Sequence, residues 1–355
     1  MNSSESLAER VPVMPLSTTS PSVVARLAPW TALLIALALP MFASDYLLRA
    51  VLIPFLILGL AALGLNVLVG YCGQMSLGTG AFMAVGAYGA FNLITRVEGM
   101  PLILAILAGG LCATVIGLLF GIPSLRVRGL YLAVATLAAQ FFVDWAALRI
   151  GWLTAYSPSG SVSVSQLQVF GQAIATPAQR YLLCLVFVVA FVWIVRNLVR
   201  SRNGRSWMAI RDMDVAAMVL GLHPARAKFS AFAVSSFIVG VAGALWGFVH
   251  LGAWEPATFN IDRSLQALFM VIIGGLGSLS GAFLGAAFII VLPLLLDQLP
   301  HLLGLNWSTT VTAHITHITL GALIVIFLIA EPHGLARLWR DAIASRRISA
   351  TVTAT

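Results

Sequence analysis

GRSWMAIRDMDVAAMVLGLHPARAKF, residues 204–229, lies between two long apolar stretches and carries six charged side chains: Arg205, Arg211, Asp212, Asp214, Arg226 and Lys228. At roughly 2.5–3.5 kcal/mol per charge, burying all six near a bilayer centre costs on the order of 15–20 kcal/mol. The segment therefore lies outside the hydrocarbon, and the apolar stretches on either side lie within it. Ile210, Met213, Ala217 and Leu220 recur at i, i+3, i+7 and i+10, which predicts a helix with those residues on one face. Arg205 and Asp212 fall on the other side, and Gly221 followed by Pro224 supplies a stop. Arginines could hold such a helix on anionic lipid. Asp212 and Asp214 would be repelled there, so the mixed charge favours a protein partner.

Composition extends that division to the whole chain. Of 355 residues, 60% are hydrophobic and only 9% charged; soluble domains carry about 25% charged residues. Long apolar runs without sustained alternation predict an all-α polytopic membrane bundle of about 8–10 spans rather than a barrel. Cys72, Cys112 and Cys184 are far apart in apolar surroundings and read as buried small hydrophobes. The net charge of +8 comes from arginines between spans, with no contiguous basic face, so nucleic acid is not an expected partner.

Candidate spans fall at about 28–44, 50–70, 75–95, 101–121, 129–149, 180–199, 229–251, 264–277, 281–297 and 312–330. Residues 1–27 and 336–355 read as cytoplasmic tails, with a transmembrane body at 28–335 and a charged loop at 200–228. Met41 does not suit a signal cleavage after Ala43, so the first apolar run reads as a retained helix. The span at 264–277 is short for a crossing and allows either a protein-buried helix or a re-entrant turn. With both termini inside, fifteen of the twenty basic residues lie inside, Arg263 being among the five placed outside. The positive-inside bias supports that orientation.

Lys228, the only lysine, follows Ala227, so the chain has no phosphate-cradling Gly-Lys-Ser/Thr loop. His314 and His317 could share a helix face, but no third ligand is positioned nearby in sequence, and no metal site is expected. Asp144 and Asp297 sit near span ends, and the span centres are essentially free of ionisable groups, which argues against proton coupling. No cation within a span is an evident anchor for a carboxylate. The most informative intramembrane stretch is NVLVGYCGQMSLGTGAFMAVGAYGAF, residues 66–91. Its glycines, with Gln74, Ser76 and Thr79, predict either a broken helix offering polar groups to a solute or a turn whose next helix is capped by Ser76. Asn66 is a further polar candidate for the path.

In these residues the chain resembles the permease subunits of branched-chain amino acid ABC importers. GYCGQMSLGTGAFMAVGAY is similar to that family's Gly-Gln-x-Ser-Leu-Gly block, and RVRGLYLAVATLA to the block after its short inner loop. GRSWMAIRDMDVAAMVLGLHPARAKFSAF through MVIIGGLGSLSGAFLGA to EPHGL resembles its coupling loop and Gly-rich pair. The resemblance implies a coupling helix at about 204–222 that docks on a separate ATPase. Arg205, Ile210, Arg211, Asp212, Asp214, Ala216, Ala217 and Gly221 would carry the docking. It further implies two ABC ATPase subunits, a paralogous permease and a periplasmic substrate-binding protein, in the bacterial inner membrane among its lipids. ATP and magnesium would sit on the ATPase subunits, with no cofactor on this chain and no catalysis by it.

Asp214 stands where Glu is commoner in the family, and Thr79 where many relatives have His. The expected cargo is a branched-chain or other hydrophobic amino acid. Urea, short amides, aromatic or other small carboxylates, and a secondary transporter or channel for a neutral solute, are the alternatives.

Overall fold

A computed structural model describes residues 23–302, apart from 126–128, 165–167, 170–171 and 175, together with scattered positions beyond 302 up to 338. The expected tails, the greater part of the last span, and His314 with His317 lie outside the described residues. Residues 1–42 form a unit of their own, whose described part is one helix, α1 (Val23–Phe42).

The second unit is a helical membrane bundle. Its helices are α2 (Asp45–Tyr71), α3 (Thr79–Arg96), α4 (Leu102–Gly121), α5 (Leu130–Arg149), α6 (Pro177–Arg200), α7 (Arg202–Asp212), α8 (Asp214–Val219), α9 (Pro224–Leu251), α10 (Ile261–Gly274) and α11 (Leu279–Leu302). Among the described residues, α2, α4, α5, α6, α9 and α11 are long and apolar enough to cross a membrane. Their burial separates two roles. The most apolar windows of α2 and α9 are each 83% buried, whereas those of α6 and α11 are 33% and 28% buried. Helices α2 and α9 are therefore the axis of the bundle, and α6 and α11 leave apolar flanks exposed.

The axis is close-packed through glycine. A Cβ on Gly86 of α3 would collide with the Gly240 carbonyl of α9, one on Gly109 of α4 with the Gly86 carbonyl, and one on Gly243 with the backbone of Met83. Side chains larger than hydrogen at these crossings would push the helix backbones apart.

Two segments depart from continuous spans. Helix α2 ends in a π-turn at Val67–Tyr71, and residues 72–78 run without regular structure before α3 begins at Thr79. The expected span at 75–95 thus starts four residues late. The expected span at 264–277 is the short helix α10, and the 252–260 stretch explains its length. After Gly252, Ala253–Trp254 pairs antiparallel with Val162–Ser163, and the chain continues through a 3-10 turn at Pro256–Phe259 whose two end residues, Pro256 and Phe259, are buried. The polar loop after α5 is in this way tied to the end of the bundle opposite α7 and α8, where the Tyr88 hydroxyl donates to the Gly160 carbonyl at 3.1 Å.

Candidate functional site

The charged loop folds as two helices rather than the single one expected over 204–222. Met213 is extended, with φ −151° and ψ 93°, and separates α7 from α8. Asp214 in the first turn of α8 suits the positive end of that helix. The stop at Gly221 matches the expectation: φ is +79°, Gly221 N–H donates to Met218 and Leu222 N–H to Ala217, which closes the helix with the paired bonds of a Schellman turn. The break divides the expected apolar face. Ile210 and Ala217 are buried together with Trp207, whose indole donates to Ser230 at 2.9 Å. Met213 and Leu220 instead point outward, 70% and 80% exposed, alongside exposed Val215, Met218 and Val219. A six-residue helix outside the membrane thus carries an uncovered apolar face, while its other side is anchored.

The anchors are ionic. Lys228 Nζ lies 3.7 Å from Asp214 Oδ2, the side chains 4% and 15% exposed. Arg211 donates from Nη1 to the Gly70 carbonyl at 2.8 Å and from Nε to Asp212 at 2.8 Å. Its stem crosses Gly73, where a Cβ would sit 2.9 Å from Arg211 Cγ, and a Cβ on Gly277 would sit 3.2 Å from Nη1. One side chain on α7 therefore touches the end of α2, the start of the 72–78 break and the α10–α11 turn. Asn66 joins the last of these from α2: its Nδ2 donates to the Ser278 carbonyl at 2.8 Å, and its Oδ1 accepts from Gly277 N–H at 2.9 Å. Asn66 is committed to that turn. Below Arg211, a cavity of about 200 Å³ is lined by Cys72, Gly73, Gln74, Asp214 and Lys228, among others. Burial pushes the Cys72 thiol up to about 12, with Lys228 lowering it and Asp214 raising it by smaller amounts.

From that cavity the broken segment leads into the bundle. Leu77 N–H donates to Thr136 Oγ1 at 2.8 Å, Gly80 N–H to Ser264 Oγ at 2.7 Å, and Ala81 N–H to Gln140 Oε1 at 2.6 Å. Gln140 also donates to the Phe259 carbonyl at 2.7 Å and accepts from Ser264 at 3.0 Å. The start of α3 is thus held by α5 and α10. Among the described residues Ser76 Oγ accepts from Gly78 N–H alone, at 3.3 Å, so of the two expected alternatives the Ser76-capped start is not formed and distant partners receive these amides. Gln140 lies halfway along α5, and here the 72–78 and 252–260 segments, entering from opposite ends, meet. Gly80 is needed at the contact, since a Cβ there would sit 2.5 Å from the Phe259 carbonyl. Thr136, Gln140 and Ser264 escaped sequence reasoning; the i, i+4 spacing of Thr136 and Gln140 in an apolar helix was the available signal. Of the expected path residues, Gln74 Oε1 and Thr79 Oγ1 are buried without a partner among the described residues. Arg205 and Ala216 are exposed on α7 and α8.

Residues 47–328 match the family model described as branched-chain amino acid transport system / permease component. The chain is 31% identical over 309 residues to the high-affinity branched-chain amino acid transport system permease protein LivM of Escherichia coli, covering 81% of this chain and 68% of that protein. It is 24% identical to the corresponding LivH protein of the same species, over 64% of this chain and 77% of LivH. It is 23% identical to a probable LivM of Methanocaldococcus jannaschii, over 66% and 68%. No solved structure matches. With most of its bundle inside the matched region, the chain belongs to the family of branched-chain amino acid transport system permease components.

Proposed function

We propose that the chain is one permease subunit of an ATP-driven importer for branched-chain or other hydrophobic amino acids. In this reading a periplasmic binding protein delivers the cargo, a LivH-like permease completes the pore, and two separate ATPase subunits bind ATP and magnesium. The observation that carries the reading is the outward apolar face of α8, Met213 to Leu220, on an elbow whose other side is fastened to the bundle. A knob of this kind fits a groove on a soluble subunit, and Arg211 offers its motion a route into the broken segments of the bundle. The arginine distribution supports placing the α7–α8 end and both termini in the cytoplasm of an inner-membrane protein.

The test is leucine accumulation in vesicles holding the complete complex and the binding protein. Accumulation that requires ATP and both ATPase subunits is expected. Equal accumulation without those subunits contradicts the reading and favours a secondary transporter. A thiol reagent added outside intact cells should label Ser159→Cys; protection of that cysteine overturns the orientation.

A further inference from the structure

The sequence placed Arg263 outside the membrane and found no anchor for a carboxylate within the spans. Arg263 is in the first turn of α10, next to Ser264, whose hydroxyl is bonded to Gln140 halfway along α5. Gln140 is itself about 15 Å from either end of α5, at 1.5 Å per residue, so Arg263 stands one residue from a contact with the middle of that helix. From there the side chain, half-buried, lies over the face of Trp246 of α9, 4.5 Å from the ring centroid. Its Nη1 donates to Gln266 Oε1 at 2.7 Å. Among the described residues no carboxylate lies within ion-pair distance of it. The adjacent carboxylate, Asp262, is exposed and accepts from the Asn260 amide at 3.1 Å.

Asp262, Arg263 and Gln266 make a polar stripe, half-exposed to exposed, on a helix otherwise built of Ile, Leu, Val, Phe, Met and small residues. Charges at that depth do not face acyl chains; they face water or a pairing group. Much of the guanidinium's donor capacity is unspent, and its delocalised plane stacked on an indole is suited to receiving two carboxylate oxygens. Trp246 Nε1 is itself buried without a partner among the described residues.

We propose that Arg263, backed by Trp246, is the point in the translocation path where the carboxylate of the solute docks. This deepens the importer reading and rests on it. The cargo is then a carboxylate-bearing solute, not urea or a simple amide.

The test uses the complete transport complex, freed of native cysteines and carrying Arg263→Cys, in vesicles with leucine as the probe. Uptake falls by at least about tenfold, the scale of one charge-assisted hydrogen bond. Treatment with a trimethylammonium-ethyl methanethiosulfonate restores more than half of it, and a sulfonatoethyl methanethiosulfonate restores none. Rescue in the same sample excludes misfolding as the cause of the loss. Retained uptake in the variant, equal effects of the two reagents, or a cysteine that neither reagent reaches because a partner subunit covers it, overturns the site. Lack of ATP-dependent uptake in the unsubstituted complex sinks the importer reading instead.

Discussion

Arg211 on α7 and Gly70 at the end of α2 are joined by a 2.8 Å hydrogen bond across 141 positions of sequence, and the same guanidinium lies against Gly277. The elbow outside the membrane is thereby fastened to the two helix interruptions beneath it. Removing that fastening should separate hydrolysis from transport. Arg211→Ala is expected to lower leucine uptake per ATP hydrolysed by about tenfold, the worth of one charge-assisted bond, with Arg211→Lys in between. Uptake and phosphate release measured in the same vesicles check this; an unchanged ratio removes Arg211 from the account.

The Lys228–Asp214 pair should be stabilising chiefly because each charge would be costly alone. Lys228→Met and Asp214→Asn are each expected to lower stability by about 2–4 kcal/mol, and the double variant by less than the sum. Thermal unfolding in detergent, run as a double-mutant cycle, measures the coupling. Simple additivity would show that the 3.7 Å separation carries no interaction.

Gln140 is the hinge of the central network. Gln140→Leu strips partners from Ala81 N–H, Ser264 Oγ and the Phe259 carbonyl, and should cost at least about 2 kcal/mol. The predicted readout is a lower melting temperature with faster protease cleavage in 72–78. A variant as stable as the parent would mean that water replaces the side chain.

Cys72 bears on the cavity beneath Arg211. Its pKa is raised because burial disfavours the thiolate, so the reactive form is scarce at pH 7–9. With Cys112 and Cys184 replaced by alanine, maleimide should fail to label Cys72 at pH 7–9 until the protein is unfolded. A cysteine in place of exposed Met75 should label readily. Rapid labelling of Cys72 at pH 8 would show that the cavity opens to solvent.

Much of this fold is legible in the sequence because a bilayer allows few solutions. Apolar length predicts the helices α2 to α6 and α9 to α11 to within a few residues, six of them long and apolar enough to cross a membrane among the described residues, and the six charges mark 204–229 as a connection between them. What stayed hidden depended on distant partners. Nothing local to Thr79 says that Gln140 and Ser264 will receive the first amides of α3, so Ser76 looked like the cap. The break at Met213 was hidden for the same reason: Ile210 and Ala217 are pinned against the bundle while Met213 and Leu220 are released. Arg263 reads as a loop charge until the neighbouring Ser264 is seen bonded to Gln140 at the middle of α5. Gly221, whose role is set by its own φ, was read correctly from sequence alone.

The central claim is that α8 is the part of this chain that engages the ATP-hydrolysing subunits. Deleting Ala216–Gly221 in the complete complex and measuring ATP-driven leucine uptake tests it most directly. The account predicts membrane insertion at normal levels, loss of ATPase co-purification, and uptake no higher than in vesicles without ATP. Uptake and substrate-stimulated hydrolysis persisting at the level of the intact chain would contradict it.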